Sequence, residues 1–416
     1  MTDLKRNVPD LRFPEFEGEW EEKKLGEFVD FGKGKLLGKK DLSEGGKYPC
    51  ILYGELYTKY GAIINSIQSR TNVNPDKLKK AEKNQVLIPS SGETVEDIAT
   101  ASAIDVNEDV YIGGDLNILT PKKDDGKFIS LSLNSVNKWN VSRFAQGKTV
   151  VHLYNNDLKK LKVNLPIQFE EQQKIGDFFS KLDRQIELEE QKLVLLEEQK
   201  KGYMQKIFSQ ELRFKDDNGN DYPEWEEKKL SDLGSYSKSY SFSRDVEGEG
   251  KVHHIHYGDI HSKLPSKISD INLLPTIKES KDFEFLQKGD IIFADASEDY
   301  KDLGKAIMVD IDEDNIIAGL HTHVFRPNLQ VVSEFLMYYT KTLNYFKFIK
   351  RQGTGISVLG ISKKNLSNFI LGLPEYKEQQ KIGDFFSKLD QQIELQGQKI
   401  ENLKQRKKGL LQKMFV

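Results

Sequence analysis

The stretch EQQKIGDFFSKLD at Glu171–Asp183 occurs a second time, unchanged, at Glu378–Asp390. The likeness continues through QIELEEQK and QIELQGQK, and then through KKGYMQKIF and KKGLLQKMF. Each copy is therefore about 40 residues long, and such self-similarity is the mark of an internally repeated architecture. The chain consists of two related halves, and each half ends in the same long segment.

Two shorter segments are also shared by the halves. WEEKKL occurs at Trp20–Leu25 and at Trp225–Leu230, while LRF occurs at Leu11–Phe13 and at Leu212–Phe214. The second LRF directly follows the first long repeat, so the N-terminus resembles a continuation of the C-terminus. This circular order predicts a pseudo-two-fold arrangement, as in a dimer made from one chain.

The long repeats have the heptad spacing of a coiled coil, with apolar residues seven or fourteen apart in two registers. A helix of about 40 residues is roughly 60 Å long and cannot bury its apolar stripe against one small domain. We therefore predict that the two helices pair antiparallel; the alternative, that each packs only within its own domain, is disfavoured by the heptad length. The predicted seam comprises Ile175, Phe179, Leu182, Ile186, Leu193 and Leu196 in the first helix and Ile382, Phe386, Leu389, Ile393, Ile400 and Leu403 in the second.

The segments before each long helix contain short β-like runs separated by turns, together with helical patterns. The predicted class is α+β: two similar mixed α/β domains separated by two long helices that form an antiparallel coiled coil. The predicted parts are a domain at 1–166, a helix at 167–210, a domain at 211–374 and a helix at 375–416. The β-like runs are Tyr48–Tyr57, Gln85–Pro89, Asp115–Thr120, Ile255–Ile260, Asp290–Asp295 and Leu320–Arg326, and the helical patterns are Phe128–Phe144 and Ser333–Ile349.

Composition sets broad limits on the class of protein. The 416 residues, 37% of them hydrophobic, suffice for two packed cores. The single cysteine, Cys50, excludes an intramolecular disulfide and suits a reducing compartment. With no signal-like N-terminus and no membrane-length apolar run, we expect a cytoplasmic protein without a membrane partner. The net charge of −3 gives no global argument for nucleic acid.

Catalytic motifs are not found in the sequence. There is no Pro-Pro pair for an adenine methyltransferase motif and no GxxxxGK[ST] phosphate loop, and the Gly32-Lys-Gly34 and Gly248-Glu-Gly250 pairs lack the rest of a dinucleotide fingerprint. We read Asp290 and Asp295 as structural. Six histidines of the second half could ligate a metal if strands brought them together, but their spacing is unconvincing, so we predict no metal site. These are His253, His254, His256, His261, His321 and His323.

The two domains differ much more in sequence than the helices do. Tyr53-Gly-Glu55 corresponds to Tyr257-Gly-Asp259, and Asn117 corresponds to His323. Each helical pattern is followed by Gln-Gly and a turn rich in Lys, Thr, Ser and Gly, which suits contacts to phosphates or base edges. An ordinary surface loop is the equally open alternative for these turns.

Each long helix begins with Glu-Gln-Gln-Lys-Ile shortly after Leu165-Pro166 or Leu373-Pro374. With two unlike domains and two like heptad helices, the chain resembles, over essentially its whole length, the specificity subunits of type I restriction-modification enzymes. A coiled-coil adaptor joining two protein-binding domains and a DNA methyltransferase or nuclease with fused recognition halves are the competing interpretations.

The resemblance implies that each domain is a target recognition domain that reads one half of a bipartite, asymmetric site in double-stranded DNA, and that the helices fix the gap. It implies two docked modification subunits, which use S-adenosylmethionine to methylate adenine, and restriction subunits that use ATP and Mg. This chain itself would be non-catalytic and bind no cofactor. The predicted DNA-contacting residues are Tyr53, Glu55, Asn117, Gln146, Lys148, Thr149, His256, Tyr257, Asp259, His323, Arg351, Gln352 and Thr354.

Overall fold

The computed structural model describes residues 7–279 and 282–416. The chain divides into two compact units: the first unit comprises the chain up to Gln191 together with Gln398–Val416, and the second unit is Lys192–Gly397. Two long helices, α7 (Phe169–Phe208) and α12 (Tyr376–Met414), each contribute one segment to both units.

Short strands and helices precede α7 in the first unit. The strands are β1 (Glu21–Lys24), β2 (Val29–Lys33), β3 (Tyr48–Ile51), β4 (Ile63–Ile64), β5 (Ser69–Thr71), β6 (Lys79–Lys80), β7 (Val86–Pro89), β8 (Ser91–Gly92), β9 (Ser102–Ile104), β10 (Tyr111–Ile112), β11 (Leu116–Pro121), β12 (Val151–His152) and β13 (Lys162–Leu165). The helices are α1 (Leu25–Phe28), α2 (Glu55–Thr58), α3 (Val95–Ile98), α4 (Gly126–Asn134), α5 (Lys138–Ser142) and α6 (Asn155–Leu158), with 3-10 turns at Lys39–Asp41 and Pro75–Lys77.

The second unit has a corresponding series. Its strands are β14 (Glu226–Lys229), β15 (Gly234–Ser237), β16 (Glu247–Ile255), β17 (Lys267–Ile268), β18 (Thr276–Ile277), β19 (Ile291–Ala294), β20 (Ala296–Ser297), β21 (Ala306–Val309), β22 (Ile316–Ala318), β23 (Thr322–Pro327), β24 (Leu359–Gly360) and β25 (Ile370–Leu373). Its helices are α8 (Tyr257–Ser262), α9 (Ser333–Tyr339), α10 (Leu343–Gln352) and α11 (Lys363–Ser367), with 3-10 turns at Leu230–Asp232, Arg244–Val246 and Ile271–Leu273.

Each unit is built on a five-stranded sheet of the same order, β2-β11-β7-β9-β4 in the first and β15-β23-β19-β21-β17 in the second. In both sheets the last strand of this order, β4 or β17, pairs parallel with its neighbour, and all other neighbouring strands pair antiparallel. The WEEKKL segments form β1 and β14, which pair antiparallel with β13 and β25, the strands that lead into the long helices. The predicted α+β class with two similar mixed domains is therefore confirmed.

Two of the predicted β-like runs are only partly strands. In Tyr48–Tyr57 the strand ends at Ile51, and in Ile255–Ile260 it ends at Ile255. A helix follows in both cases. Glu55, the first residue of α2, accepts the backbone N–H of Leu52 at 2.8 Å, and His256 caps α8 by accepting the backbone N–H of Gly258 at 3.1 Å. The two helical patterns are each divided into two helices, α4 with α5 and α9 with α10.

The long helices run antiparallel within each unit. In the first unit, Lys404 near the end of α12 pairs with Glu190 of α7 at 2.7 Å, and Lys407 pairs with Asp183. In the second unit Lys200 pairs with Asp390. Of the predicted seam, Ile175, Phe179, Leu182, Ile186, Ile382, Phe386 and Ile400 are buried, and Leu193, Leu196, Leu389, Ile393 and Leu403 are half-buried.

The Gln-Gln of each repeat anchors the start of its long helix. The Gln172 side chain donates to the Pro166 carbonyl at 3.0 Å and accepts from the Asp125 backbone at 2.9 Å. Gln379 repeats both bonds, to Pro374 at 2.9 Å and from Val332 at 2.8 Å. Both glutamines are buried, so these bonds replace water. The predicted domain boundaries at 166/167, 210/211 and 374/375 stay a prediction.

Candidate nucleic-acid interface

Each unit presents a short, exposed hairpin, the first hairpin at Gln146–His152 and the second hairpin at Thr354–Gly360. The backbones of the two end residues exchange hydrogen bonds of 2.9 and 2.7 Å in both hairpins. The return strands, β12 and β24, pair antiparallel with β8 and β20. Both units thus have the same hairpin, but the two Gln-Gly pairs of the sequence are not equivalent: Gln146-Gly147 begins the first hairpin, whereas Gln352-Gly353 precedes the second, which begins at Thr354-Gly355.

Glycine is required at the start of each hairpin turn. Gly147 and Gly355 have φ angles of 124° and 130°. A Cβ on Gly147 would lie 2.1 Å from the Val150 carbonyl oxygen, and one on Gly355 would lie 2.0 Å from that of Val358. Side chains cannot occupy these positions without moving the backbone. Both turns therefore require glycine here. The exposed side chains of the tips are Lys148, Thr149 and Val150 in the first hairpin and Ile356, Ser357 and Val358 in the second.

A side chain from the five-stranded sheet of each unit hydrogen-bonds to the backbone next to the hairpin. Asn117 of β11 donates from Nδ2 to the Leu153 carbonyl, and His323 of β23 contacts the Ile361 carbonyl through Nε2; both distances are 2.9 Å. Leu153 and Ile361 each directly follow their hairpin. Asn117 is buried (0% exposed), so its amide is committed to this support and does not reach the surface.

A second hydrogen bond joins a residue that follows each hairpin to the edge strand of the sheet. Asn155 donates to the Gly32 carbonyl at 3.0 Å, and Lys363 donates to the Ser237 carbonyl at 3.3 Å. The edge strands β2 and β15 end here. Lys33 is the last residue of β2 and Lys35 lies two residues beyond it, while Lys238 directly follows β15.

The lysines at these edges are available to an anion. Within residues 7–279 and 282–416, Lys33, Lys35 and Lys148 have no carboxylate at ion-pair distance. In the second unit, exposed Lys350 and Arg351 end α10 immediately before the second hairpin. Unpaired cations beside an exposed loop suit contacts to phosphates.

Several histidines of the second unit lie close to Asp295 and Tyr257. The Asp295 carboxylate lies 3.2 Å from His321 Nδ1 and 3.5 Å from His323 Nδ1. The Tyr257 ring packs edge-on against His321 and His261. No group of three or more His, Cys, Asp or Glu within the described parts of the chain could hold a metal ion.

The two carboxylates predicted to contact DNA, Glu55 and Asp259, are buried. Glu55 is bonded to Lys59 at 2.7 Å, and Asp259 to Arg244 at 2.8 Å, an interaction that raises the pKa of Arg244. Burial and the nearby Arg244 lower the pKa of His256, whose Nδ1 caps α8. Each of these three side chains makes a hydrogen bond within its own unit, as buried polar groups generally do.

The other predicted contacts divide by exposure, and DNA contact stays a prediction for all of them. Sequence reasoning did not single out Lys33, Lys35 or Ile356, although Ile356 is 100% exposed. The exposed predicted residues are Gln146, Lys148, Thr149, Arg351 and Thr354, the half-buried ones are Tyr53, Tyr257, His323 and Gln352, and the buried ones are Glu55, Asn117, His256 and Asp259.

The profile of the family described as type I restriction modification DNA specificity domain matches residues 17–198 and again residues 222–405. The chain belongs to this family. The two matches coincide with the two related halves of the sequence, so a type I specificity subunit with two DNA specificity domains accounts for the whole repeat. The predicted resemblance is confirmed.

Curated relatives carry the same designation. The chain is 22% identical over 416 residues to the type I restriction enzyme MjaVIII specificity subunit of Methanocaldococcus jannaschii, a match that covers 96% of this chain and 92% of that one. It is 31% identical over 199 residues to the HindI specificity subunit of Haemophilus influenzae, covering 46% of this chain and 41% of the relative. That second match thus spans less than half of either protein.

Solved structures show the same fold. The type I restriction-modification S subunit from M. genitalium superposes with a TM-score of 0.63 at 19% identity, covering 98% of this chain and 99% of that one. A chain from a structure on complex assembly and conformational transition of the type I R-M system gives a TM-score of 0.51 at 15% identity, covering 95% and 97%. Among the helices in the described parts of the specificity subunit, none is long and apolar enough to cross a membrane.

Proposed function

We propose that each DNA specificity domain of this subunit reads one half of a bipartite, asymmetric site in double-stranded DNA, with the two hairpins at the points of contact. The observation that carries the proposal is that hairpins of the same backbone geometry bear different tips, Lys148-Thr149-Val150 against Ile356-Ser357-Val358. Two hairpins with the same backbone but different side chains would recognise different base sequences, and the complete site would therefore be asymmetric.

The chemistry of the tips differs in a way that bases can sense. A lysine and a threonine can donate to phosphates or to base acceptors, whereas an exposed isoleucine suits an apolar contact such as a thymine methyl group. Exposed Gln146, Arg351 and Thr354 flank the tips and add amide, guanidinium and hydroxyl groups. Asn117 and His323 hold the hairpins rather than contact bases in this proposal.

The remaining parts of the assembly follow from membership of a type I system. We propose that the antiparallel helices set the gap between the half-sites and dock two modification subunits, and that restriction subunits join through the complex. S-adenosylmethionine, ATP and Mg would be bound by those partners in the cytoplasm, and this subunit would be non-catalytic. Two weak half-sites on a fixed spacer gain effective concentration only when both match at the right gap.

The test is to co-express the subunit with its methyltransferase partner and to map methylated adenines genome-wide by long-read sequencing. A single bipartite, asymmetric motif is expected. The double variant K148I/T149S gives the first hairpin the tip of the second, and we expect it to change one half of the motif and leave the other half and the gap unchanged.

A matched control is Lys192→Ala, which removes an exposed lysine from α7 far along the chain from either hairpin. It should leave the motif as it is. Methylation of the original motif by K148I/T149S would remove the first hairpin from the interface. A stable complex that methylates no defined motif would favour the coiled-coil adaptor over a DNA-reading subunit.

A further inference from the structure

We infer that the segment at the end of strand β2, residues 33–40, binds DNA beside the first half-site, with its lysines on phosphates and Leu36 in a groove. The inference rests on the proposed contact between the hairpins and DNA. This segment, the basic loop, has the sequence KGKLLGKK, with four lysines and no aspartate or glutamate. It is separate along the chain from the first hairpin and adds a second element to the interface.

The basic loop begins next to the first hairpin. Lys33, the last residue of β2, lies opposite Asn117 in the pairing of β2 with β11. Asn117 donates to the Leu153 carbonyl, directly after the hairpin. Gly32, one residue before the loop, accepts a hydrogen bond from Asn155 at 3.0 Å. The loop and the hairpin therefore leave the same end of the five-stranded sheet, so DNA that contacts the hairpin passes close to the loop.

The lysines of the basic loop are available to phosphates. All four are exposed, and none has a carboxylate at ion-pair distance in the described part of the chain. The carboxylate that follows the loop, that of Asp41, accepts the Gly38 N–H at 2.9 Å instead. The whole chain has a net charge of −3, so the loop is a local concentration of positive charge. Such a concentration attracts the DNA backbone. The lysines are Lys33, Lys35, Lys39 and Lys40.

Leu36, in the middle of the basic loop, has a backbone conformation that leucine rarely adopts. Its φ angle is 53°, in the left-handed region, where the Cβ atom is crowded by the following carbonyl oxygen. Its side chain is 72% exposed, so contacts within the domain compensate little of this strain. A single exposed leucine is ordinary, but strain of this kind tends to occur at functional sites. Proteins that enter the minor groove of DNA often insert an apolar side chain beside basic ones.

The backbone on both sides of Leu36 is held in place. Before it, a Cβ on Gly34 would overlap the Gly113 carbonyl oxygen, so the chain approaches more closely than any other residue type allows. After it, Leu37 is buried, and its carbonyl accepts the Gly114 N–H at 3.1 Å. Leu36 is therefore presented outward from two anchored neighbours.

The second unit has a loop of the same backbone pattern but without the leucine. Two backbone hydrogen bonds recur, from Lys35 to Ile112 and from Gly114 to Leu37 in the first unit, and from Tyr240 to Ala318 and from Leu320 to Phe242 in the second. Ser241 takes the position of Leu36, and no lysine lies between Lys238 and Arg244. The effects of the basic loop are therefore expected from the first unit alone.

The experiment uses the full chain assembled with its methyltransferase partner and duplexes carrying the mapped motif or an unrelated sequence. Affinity is measured by fluorescence anisotropy at several salt concentrations. The double variant K35Q/K39Q removes two phosphate contacts, so the slope of log affinity against log salt should become shallower by about two. The affinity ratio between the two duplexes and the methylated motif should stay unchanged, since phosphates carry no sequence information.

Lys24→Gln is the matched control for the lysine variant. Lys24 is also exposed, but it belongs to the two-stranded β1-β13 sheet and not to the end of the sheet from which the basic loop emerges. It should keep the wild-type salt slope.

Leu36→Gly separates DNA contact from folding. Glycine adopts the left-handed conformation without strain, so the variant should have a higher melting temperature than the wild type. Loss of the apolar contact should nevertheless weaken binding about five- to tenfold, with an unchanged salt slope. Leu36→Asn, which also tolerates this conformation, should bind equally weakly. Leu36→Met keeps an apolar side chain and should retain most of the affinity.

Gln210→Gly is the control for the relief of strain. Gln210 is exposed and has a φ of 63°, but it follows α7 and lies outside the basic loop. It should raise the melting temperature without changing the affinity for DNA.

Wild-type affinity of L36G, or a wild-type salt slope of K35Q/K39Q, would overturn the inference while the proposed function stands. Weakened assembly of either variant with the methyltransferase, seen by native mass spectrometry, would assign the loop to a protein contact and overturn it as well. A wild-type complex that binds the motif and the unrelated duplex equally would overturn the proposed function itself, and the inference with it.

Discussion

The guanidinium of Arg12 donates two hydrogen bonds, each 2.7 Å long, to the carboxylate of Glu171, whose side chain is 1% exposed. The Trp20 indole N–H donates to the same carboxylate at 3.3 Å. Arg213 and Glu378 repeat the ion pair in the second unit, at 2.7 and 3.2 Å. The repeated LRF, WEEKKL and EQQKI segments thus meet at one buried acid in each unit, which is the physical reason that they recur together.

Replacing Arg12 by methionine should destabilise the first unit by about 3 kcal/mol, because an unpaired carboxylate would remain buried. Urea unfolding followed by tryptophan fluorescence would measure it. Lys23→Met, which breaks an exposed pair with Glu21, is the control and should cost under about 0.5 kcal/mol. Equal effects of the two variants would mean that Glu171 does not need its partner.

Reversing Asp183 to lysine should lower the melting temperature of the subunit, because it would place two lysines together where Lys407 now has its partner. The exchanged variant D183K/K407D should recover most of the loss, with a coupling energy of about 1–2 kcal/mol in a double-mutant cycle. Calorimetry on the wild type, the two single variants and the double variant gives the four stabilities that the cycle needs. Additive effects would show that the helix segments do not pair in this register.

Exchanging the residues of the equivalent pair, Lys200 and Asp390, should recover less of the lost stability than D183K/K407D does. The Tyr338 hydroxyl also donates to Asp390, at 2.8 Å, and would lose its acceptor. A difference in coupling between the two pairs therefore measures the contribution of the tyrosine.

Acid should destabilise the second unit through His256. Burial lowers the pKa of His256, so between its folded and unfolded pKa values the unfolded chain binds a proton that the folded chain does not. Stability therefore falls as pH drops below the ordinary histidine range. Thermal unfolding at about pH 7 and about pH 5 should show a smaller drop for His256→Asn, since asparagine caps a helix without titrating.

Tyr257→Phe is the control for that measurement, because its ring contacts His256 at 4.6 Å and leaves the imidazole in place. It should keep the wild-type drop. An undiminished drop in H256N would assign the acid sensitivity to other groups, among them His261, whose pKa burial also lowers.

Cys50 should resist alkylation in the folded protein. It is buried, and desolvation together with the Glu55 carboxylate raises the pKa of its thiol to about 11. The reactive thiolate is therefore scarce near pH 8. Iodoacetamide labelling followed by mass spectrometry should give full modification in urea and little without it; rapid labelling of the native chain would contradict the burial.

Exchange of residues 20–165 for the corresponding part of another family member should change one half of the methylated motif. The exchanged segment begins and ends beside the paired strands β1 and β13, so the long helices stay intact. Lengthening α7 by insertion should change the gap instead. Both halves changing together after the exchange would contradict independent reading.

Much of the architecture could be predicted from the sequence because it is written twice. The identical sequences of Glu171–Asp183 and Glu378–Asp390 predict two equivalent helices, and the heptad spacing predicts which face of each helix is buried. Length and periodicity make such elements easy to recognise. The shorter runs were harder to predict. After Ile51 and Ile255 the chain forms helices of four and six residues although the apolar pattern favours strands, and single side-chain bonds of Glu55 and His256 hold these turns.

The sequence alone determined the repeat, the antiparallel helix pairing and the likeness of the two domains, since these depend on periodicities that recur along the chain. Only the tertiary structure decided what the varying residues do. Asn117 and His323 correspond in sequence, but their support of the hairpins depends on carbonyls more than 35 residues away. Contacts of that kind come from strand order and register, which a pattern of residue types along one strand does not encode.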